Sequence, residues 1–381
     1  MQIVIYPTIS KIDGHQVHVP VHFHVYNSVE LCISRNGTLP YENHASKIHK
    51  SKIFAKSIIN GLKLFKKQRS KQSNITLEIN GYNQVVETNN DRCFSETVIL
   101  DIEHQTTVIM IKATIGNYSY YGESHIYKDD GYAVISDIDD TMRLADAYDL
   151  FQLLSSSLYY NYTAVKGMPE LFTSWKAANS CRFYYVSQSP DQLYSEFSNF
   201  MQKYQFPFGQ YMGRHFRWYY DDSKVFHSDT IMKLFPTEGK VVVNENQQES
   251  TLADSKQVLN AKNDASTTIQ HILTDNDIEL LIYNHKYLSI YKLVSNQPST
   301  KFVLIGDDTA HDPFIFSKIY KHFPSQVRHL FIRHVEKNNH LLNKNDTCTK
   351  QVQNLKNAKK ALKNTPHVIF TDPTELPNKF D

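Results

Sequence analysis

Two groups of acidic residues each follow a short apolar run that is typical of a buried β-strand. After the run AVIS come Asp137, Asp139 and Asp140, and after the run KFVLI come Asp307, Asp308 and Asp312. Like charges this close repel, and burying them costs free energy unless a cation or hydrogen bonds compensate. A single acidic loop is usually a solvated turn. Two such loops at strand ends favour a site that binds something positive.

The residue types in these loops suit phosphoryl chemistry. Converging carboxylate oxygens are the ligands that Mg²⁺ prefers, together with waters and substrate phosphate. Of two neighbouring aspartates, one could attack phosphorus to form an aspartyl-phosphate, while the other, protonated, gives its proton to the leaving oxygen and later activates water. Lys286 is the best-placed cation to neutralise the transferring group, and Lys292 and Lys301 are nearby alternatives.

Strand-like and helical runs alternate from residue 131 onward, which predicts a parallel sheet of βαβ units. The strand-like runs are AVIS, RFYYV, GQYMGRHFRW, KFVLI and RHLFI. Ligands of open α/β sheets bind beyond the carboxyl ends of the strands, so both acidic loops should meet at one rim. Ser187 and Ser189 follow RFYYV at this rim, and Ser189 is expected to cap the next helix.

The first third of the chain is β-rich and carries no catalytic signature. In QVHVPVHFHVY, residues 16–26, apolar and other residues alternate with a period of two, and further strand-like runs follow at ITLEI, TVILDI and TVIMIKATI. We therefore predict a β-rich domain over 1–128 and an α/β catalytic domain over 129–381. The catalytic domain contains a polar insertion at about 222–282.

Three histidines of the strand-like run 16–26 share one face. His18, His22 and His24 could ligate a transition metal, but no fourth ligand is evident in the sequence. A surface stripe beside the alternating valines is therefore the favoured interpretation.

The composition is that of an ordinary globular protein, with 41% hydrophobic residues, 21% charged residues and a formal net charge of +2. We therefore expect no nucleic-acid partner. Four scattered cysteines without a CxxC pair favour reduced thiols in a cytoplasmic protein. Residues 45–72 hold nine Lys/Arg and no acid. This predicts a solvated helix or, alternatively, an amphipathic helix lying peripherally on an anionic membrane.

The four motifs DIDDT, Ser187, Lys286 and GDDTAHD resemble, in this order, those of haloacid-dehalogenase (HAD) superfamily phosphatases. The resemblance implies a HAD-like Rossmannoid core in which Asp137 is the nucleophile and Asp139 the acid/base. It implies that Mg²⁺ is held by Asp137, the backbone carbonyl of Asp139, Asp307 and Asp312. It also implies that the phosphoryl group or the rest of the substrate is bound by Thr141, Ser187, Lys286 and Arg214.

A longer series of segments between residues 131 and 335 resembles the actin-patch-associated phosphatidate phosphatase catalytic domain, which is related to the lipin-type lipid phosphatase domain. The segments are VISDIDDT, KGMPELF, FYYVSQSPDQLY, FPFGQYMGRHF, KFVLIGDDTAHDPFIF and FPSQVRHLFIR. This resemblance implies Mg²⁺-dependent hydrolysis of phosphatidate to diacylglycerol and phosphate. The stretch Gly213–Phe216 departs from the family's usual leucine-arginine-aspartate-phenylalanine pattern. The match to the family around Arg214, and with it the implied role of Arg214 in substrate binding, is therefore incomplete.

Two alternatives to this activity stay open. The same chemistry could act on a soluble phosphoester or a phosphoprotein, because the HAD scaffold serves many substrates. The domain could also be a non-catalytic phosphatidate sensor, although a sensor does not need both Asp137 and Asp139. The N-terminal domain is expected to position the catalytic domain or to bind a protein partner.

Overall fold

The structure is a computed structural model of the 381-residue chain. It describes residues 2–26, 73–89, 92–101, 107–145, 163–190, 194–214, 285–309, 311–336 and 344–381. Within these ranges the chain forms fourteen strands and five α-helices in a mixed α/β architecture. The predicted α/β class and the predicted β-rich N-terminal region are therefore confirmed.

The N-terminal region forms an eight-stranded, mainly antiparallel sheet. Its strands are β1 (Gln2–Ile5), β2 (Thr8–Asp13), β3 (Gln16–Tyr26), β4 (Asn74–Ile79), β5 (Tyr82–Glu87), β6 (Cys93–Asp101), β7 (Val108–Ile115) and β8 (Tyr118–Tyr127). The long strand β3 pairs with β6 on one side and with β1 and β2 on the other. Every second residue of β3, including Val19, Val21 and Phe23, is buried in an apolar core, as the alternation predicts.

The second sheet is entirely parallel, in the order β11-β10-β9-β12-β13-β14. Its strands are β9 (Tyr132–Ser136), β10 (Arg182–Pro190), β11 (Gln210–Arg214), β12 (Lys301–Asp307), β13 (Val327–Arg333) and β14 (Val368–Phe370). The helices are α1 (Met168–Asn179), α2 (Tyr194–Tyr204), α3 (His285–Ser295), α4 (Asp312–His322) and α5 (Lys344–Ala361).

Helices cover both faces of this parallel sheet, so the middle residues of its central strands are apolar on both faces. On β9, Val134 packs in the core formed with α1 and α2, whereas Ala133 and Ile135 pack in the core formed with α3 and α4. This arrangement is the usual one for parallel strands, whose neighbouring side chains point to opposite, equally buried faces. The packing on both faces thereby fixes the strand ends from which the loops at the carboxyl rim begin.

Hydrogen bonds and ring contacts join the two sheets. The backbone N–H of Ile9 donates to Oε1 of Gln210 at 3.2 Å. The ring of Tyr6 lies 4.6 Å from that of Tyr194 and packs in the core of the parallel sheet. The proposed division into domains at residue 128 stays a prediction. Among the described residues, no helix has both the length and the apolar character needed to span a bilayer.

Several predicted segments differ from the structure or lie outside it. Ser189 lies within strand β10, which extends to Pro190, and the helix that follows is described from Tyr194 onward. Strands β1, β2, β5, β8 and β14 were not predicted. The basic segment 45–72 and the polar insertion at about 222–282 lie outside the described residues.

Candidate active site

The first acidic loop leaves β9 as a tight turn. The N–H of Asp137 donates to the carbonyl of Ile305 at 2.9 Å, which continues the pairing of β9 with β12 by one residue. Asp140 then takes a left-handed conformation (φ 57°) and its N–H donates to the carbonyl of Arg143 at 2.8 Å. The carboxylate of Asp140 accepts the N–H of Ala145 at 3.0 Å, so this acid stabilises the turn.

Three buried carboxylates meet where the first loop faces the end of β12. Asp137, Asp307 and Asp312 each place a carboxylate oxygen within 4.8 Å of the other two. The hydroxyl of Thr141 lies 3.2 Å from Oδ2 of Asp137 and 3.3 Å from Oδ2 of Asp307, and links them. A side chain on Gly306 would put its Cβ 2.2 Å from Oδ2 of Asp312, so only glycine permits this approach. We refer to Asp137, Asp307 and Asp312 as the three-acid cluster.

Lys286, in the first turn of α3, supplies the positive charge next to this cluster. Its Nζ lies 2.6 Å from Oδ1 of Asp137 and also contacts Oδ1 of Asp312, and the residue is only 5% exposed. Burial by itself lowers the pKa of Lys286, but Asp137 and Asp312 outweigh it and hold the pKa above its ordinary value. The alternatives Lys292 and Lys301 are exposed.

The three-acid cluster carries more negative charge than one lysine neutralises. Burial raises the pKa of Asp137 to about 7, against the opposing effect of Lys286 and with a further rise from Asp312. Burial likewise raises the pKa of Asp307 well above its ordinary value, and Asp312 and Asp137 add to it. Buried, hard oxygen donors with this excess charge fit a hard divalent cation such as Mg²⁺.

The carboxylate of Asp139 is bound by side chains outside the three-acid cluster. Nε of the buried Arg143 donates to Oδ1 of Asp139 at 2.6 Å, and the hydroxyl of Ser189 donates to Oδ2 at 3.0 Å. The hydroxyl of Ser187 lies 3.5 Å from the same oxygen. Ser189 thus donates its hydroxyl to an acidic side chain, and its predicted role as a helix cap stays a prediction because residues 191–193 lie outside the described part of the chain. The carboxylate of Asp139 is not part of the three-acid cluster, and the backbone ligand implied by the resemblance stays a prediction.

Other loop residues have different surroundings. The carboxylate of Asp308 contacts the imidazole of His334 and accepts the N–H of Val335 at 3.1 Å, so it faces away from the three-acid cluster. Arg214 ends strand β11, and its side chain lies outside the described residues. Its predicted part in substrate binding stays a prediction.

Arg143 was not predicted as a functional residue from the sequence. The sequence does show that Arg143 lies four residues after Asp139. A loop that closes on itself brings residues at this spacing together, so the spacing was a signal that the two side chains could meet. A parallel sheet determines where the strand ends meet, but not which loop side chain contacts Asp139.

A search of curated proteins found no match to the chain. A family model described as "Phosphatidate phosphatase APP1, catalytic domain" matches residues 132–257 and 257–334, which is more than half of the chain and includes both acidic loops, Ser187 and Lys286. The chain therefore belongs to the family of the phosphatidate phosphatase APP1 catalytic domain.

Proposed function

We propose that the chain is a Mg²⁺-dependent phosphatidate phosphatase, which hydrolyses phosphatidate to diacylglycerol and phosphate through an aspartyl-phosphate. The observation that carries the proposal is the convergence of Asp137, Asp307, Asp312 and Lys286 at one rim of the sheet. Membership of a phosphatidate phosphatase family supports hydrolysis of a lipid phosphoester.

A HAD-like core is part of the proposal, and the sheet topology supports it. Strand β9 lies in the middle of the sheet, with β12 on one side and β10 on the other. Asp137 directly follows β9, Asp307 is the last residue of β12, and Ser187 lies in the carboxyl-terminal half of β10. Adjacent parallel strands present their carboxyl ends together, so one substrate phosphate could meet all three residues.

Each side chain then has a role that follows from its contacts. Asp137 attacks phosphorus, and Thr141 and Lys286 orient its carboxylate. Asp139, held by Arg143 and Ser189, gives a proton to the leaving oxygen and then accepts one from water. When bound by Asp137, Asp307 and Asp312, Mg²⁺ would offset the charge of the phosphoryl group. Ser187 and Arg214 are proposed to bind the substrate.

The direct test is a substrate panel with the purified full chain. Phosphatidate in mixed micelles should release phosphate in the presence of Mg²⁺ and not in the presence of a chelator. This release should be faster than the release of phosphate from soluble phosphomonoesters. A clear preference for soluble esters would favour the alternative phosphatase. Binding to phosphatidate vesicles without turnover would favour the sensor.

We further propose that the protein is cytoplasmic and attaches peripherally to anionic membranes, where phosphatidate resides. The nine basic residues of the segment 45–72 support this. Each lysine near the surface of an anionic membrane adds about 1 kcal/mol of attraction to it. The N-terminal region is also proposed to bind a protein partner.

Magnesium should stabilise the folded protein through the three-acid cluster. At a Mg²⁺ concentration about 100 times Kd, binding adds about 2.7 kcal/mol to the free energy of unfolding, which raises Tm by several degrees. Asp307→Asn should abolish this rise. Without Mg²⁺, the variant should be at least as stable as the wild type, because it removes one of three crowded buried charges.

The matched control for this experiment is Asp101→Asn, which changes an exposed acid at the end of β6. This variant should keep the full Mg²⁺ response in differential scanning fluorimetry. An equal rise of Tm in Asp307→Asn would contradict the assignment of Asp307.

Arg143 should act on turnover by positioning Asp139. Arg143→Met removes the donor to Oδ1 of Asp139. We therefore expect kcat for phosphatidate to fall about 10- to 100-fold with little change of KM. The loss should be smaller with p-nitrophenyl phosphate, because its leaving group needs no proton. Equal losses with both substrates would show that Arg143 has only a structural role.

A further inference from the structure

A second group of metal-ligating side chains lies in the N-terminal sheet, apart from the three-acid cluster. His22 and His24 of β3 and Cys93 of β6 each place one ligand atom within 4.8 Å of the other two. The sequence suggested a stripe of His18, His22 and His24. In the structure, the third member of the group is Cys93 and not His18, although Cys93 is distant from both histidines along the chain.

The pairing of the strands brings these three residues to one face. β3 and β6 are antiparallel, with His24 directly opposite Cys93. His22 lies two residues away from His24 along β3, so its side chain points to the same face. The intervening Phe23 points to the other face, where it stacks on Phe94 at 5.1 Å. The three ligand atoms therefore depend on a sheet register that an apolar core secures.

The neighbouring residues restrict how these side chains can move. The ring of Tyr6 lies 4.5 Å from that of His22 and 5.7 Å from that of His24. The N–H of Cys93 donates to the side-chain oxygen of Asn89 at 3.0 Å, which anchors the start of β6. His24 and Cys93 are each 3% exposed, while His22 is partly exposed. An ion could thus reach the group from the side of His22.

The distances suit a tetrahedral ion. Sγ of Cys93 lies 3.8 Å from Nδ1 of His22. On a Zn²⁺ ion with bonds of about 2.3 Å to sulfur and about 2.1 Å to nitrogen, these atoms would be about 3.6 Å apart. The contact without metal is a long thiol–imidazole hydrogen bond, so Cys93 and His22 would move little relative to each other on binding the ion.

We propose that His22, His24 and Cys93 bind Zn²⁺, with a fourth position left to water. One thiolate and two imidazoles are ligands that Zn²⁺ binds well and that Mg²⁺ avoids, so the two sites differ in metal preference. Tyr6 connects the site to the parallel sheet, because its ring contacts both His22 and Tyr194. The ion would join β3 to β6 next to the place where the two sheets meet.

The test measures Zn²⁺ bound by the full chain in the presence of excess Mg²⁺, which occupies the three-acid cluster. After chelator treatment and equilibrium dialysis, the wild type should hold one Zn²⁺ equivalent more than Cys93→Ser. Removal of a ligand should weaken binding at least about 10- to 100-fold. Cys181→Ser, which changes the buried thiol before β10, and His18→Gln should bind as the wild type does.

Cobalt provides an independent readout that does not rely on affinity. Co²⁺ at this site should give a thiolate-to-metal charge-transfer band that Cys93→Ser loses and His18→Gln and Cys181→Ser keep. His22→Gln, at the partly exposed ligand, should weaken the band without unfolding the chain, as checked by circular dichroism. The proposal is overturned if folded Cys93→Ser holds as much Zn²⁺ as the wild type, or if Co²⁺ gives no thiolate band.

Discussion

Asp137→Asn should reduce phosphatidate turnover to less than about one thousandth of the wild-type rate. An amide oxygen is a poor nucleophile toward phosphorus, whereas the size and shape of the side chain hardly change. The variant should stay folded, because burial raises the pKa of Asp137 to about 7, so its ionised form is costly in the fold, and because Lys286 keeps its contact with Asp312. Phosphate release from mixed micelles and a thermal melt of the same preparation measure both effects.

The exposed Asp101→Asn is the control for the charge change, and Asp139→Asn separates the two proposed roles. If Asp139 supplies the proton, its variant should lose much more activity on phosphatidate than on p-nitrophenyl phosphate. Asp137→Asn should lose activity equally on both substrates. Turnover by Asp137→Asn near the wild-type rate would overturn the assignment of the nucleophile, whichever substrate shows it.

The sequence was sufficient to predict that the two acidic loops meet, because that step depends on topology alone. Parallel strands with crossover helices must present their carboxyl ends at one rim. Asp137 directly follows β9, and Asp307 ends the adjacent strand β12. The position of Lys286 next to the acids could not be predicted from topology alone. Its alternatives Lys292 and Lys301 have the same charge, and only the orientation of α3 turns Lys286 toward the acids.

The features that the sequence did not predict depend on geometry between distant or tightly turned residues. Arg143 reaches Asp139 because the loop closes with Asp140 in a left-handed conformation, which few side chains adopt and no periodicity reveals. Cys93 meets His24 through the register of β3 and β6. The strand β8, YSYYGESHIY, is mostly half-buried or exposed, so it lacks the alternation that identified β3.

Lys286→Met should have a large effect on stability as well as on activity. Removing one partner of a buried ion pair leaves uncompensated charge, which costs about 3–5 kcal/mol of the free energy of unfolding. Here the loss leaves Asp137 and Asp312 without the ammonium that contacts both. We also expect kcat for phosphatidate to fall about 10²- to 10³-fold, as when one donor to a developing charge is removed.

The comparison of Lys286→Met with Lys292→Met tests both effects on one helix. Lys292 is exposed on α3. Its variant should therefore keep its activity and stay within about 0.5 kcal/mol of the wild type in denaturant unfolding. Mg²⁺ should recover part of the stability that Lys286→Met loses, because a cation offsets the uncompensated carboxylate charge, but it should not recover turnover. Equal stability of the two variants without Mg²⁺ would contradict the view that this lysine holds three crowded acids in the folded chain.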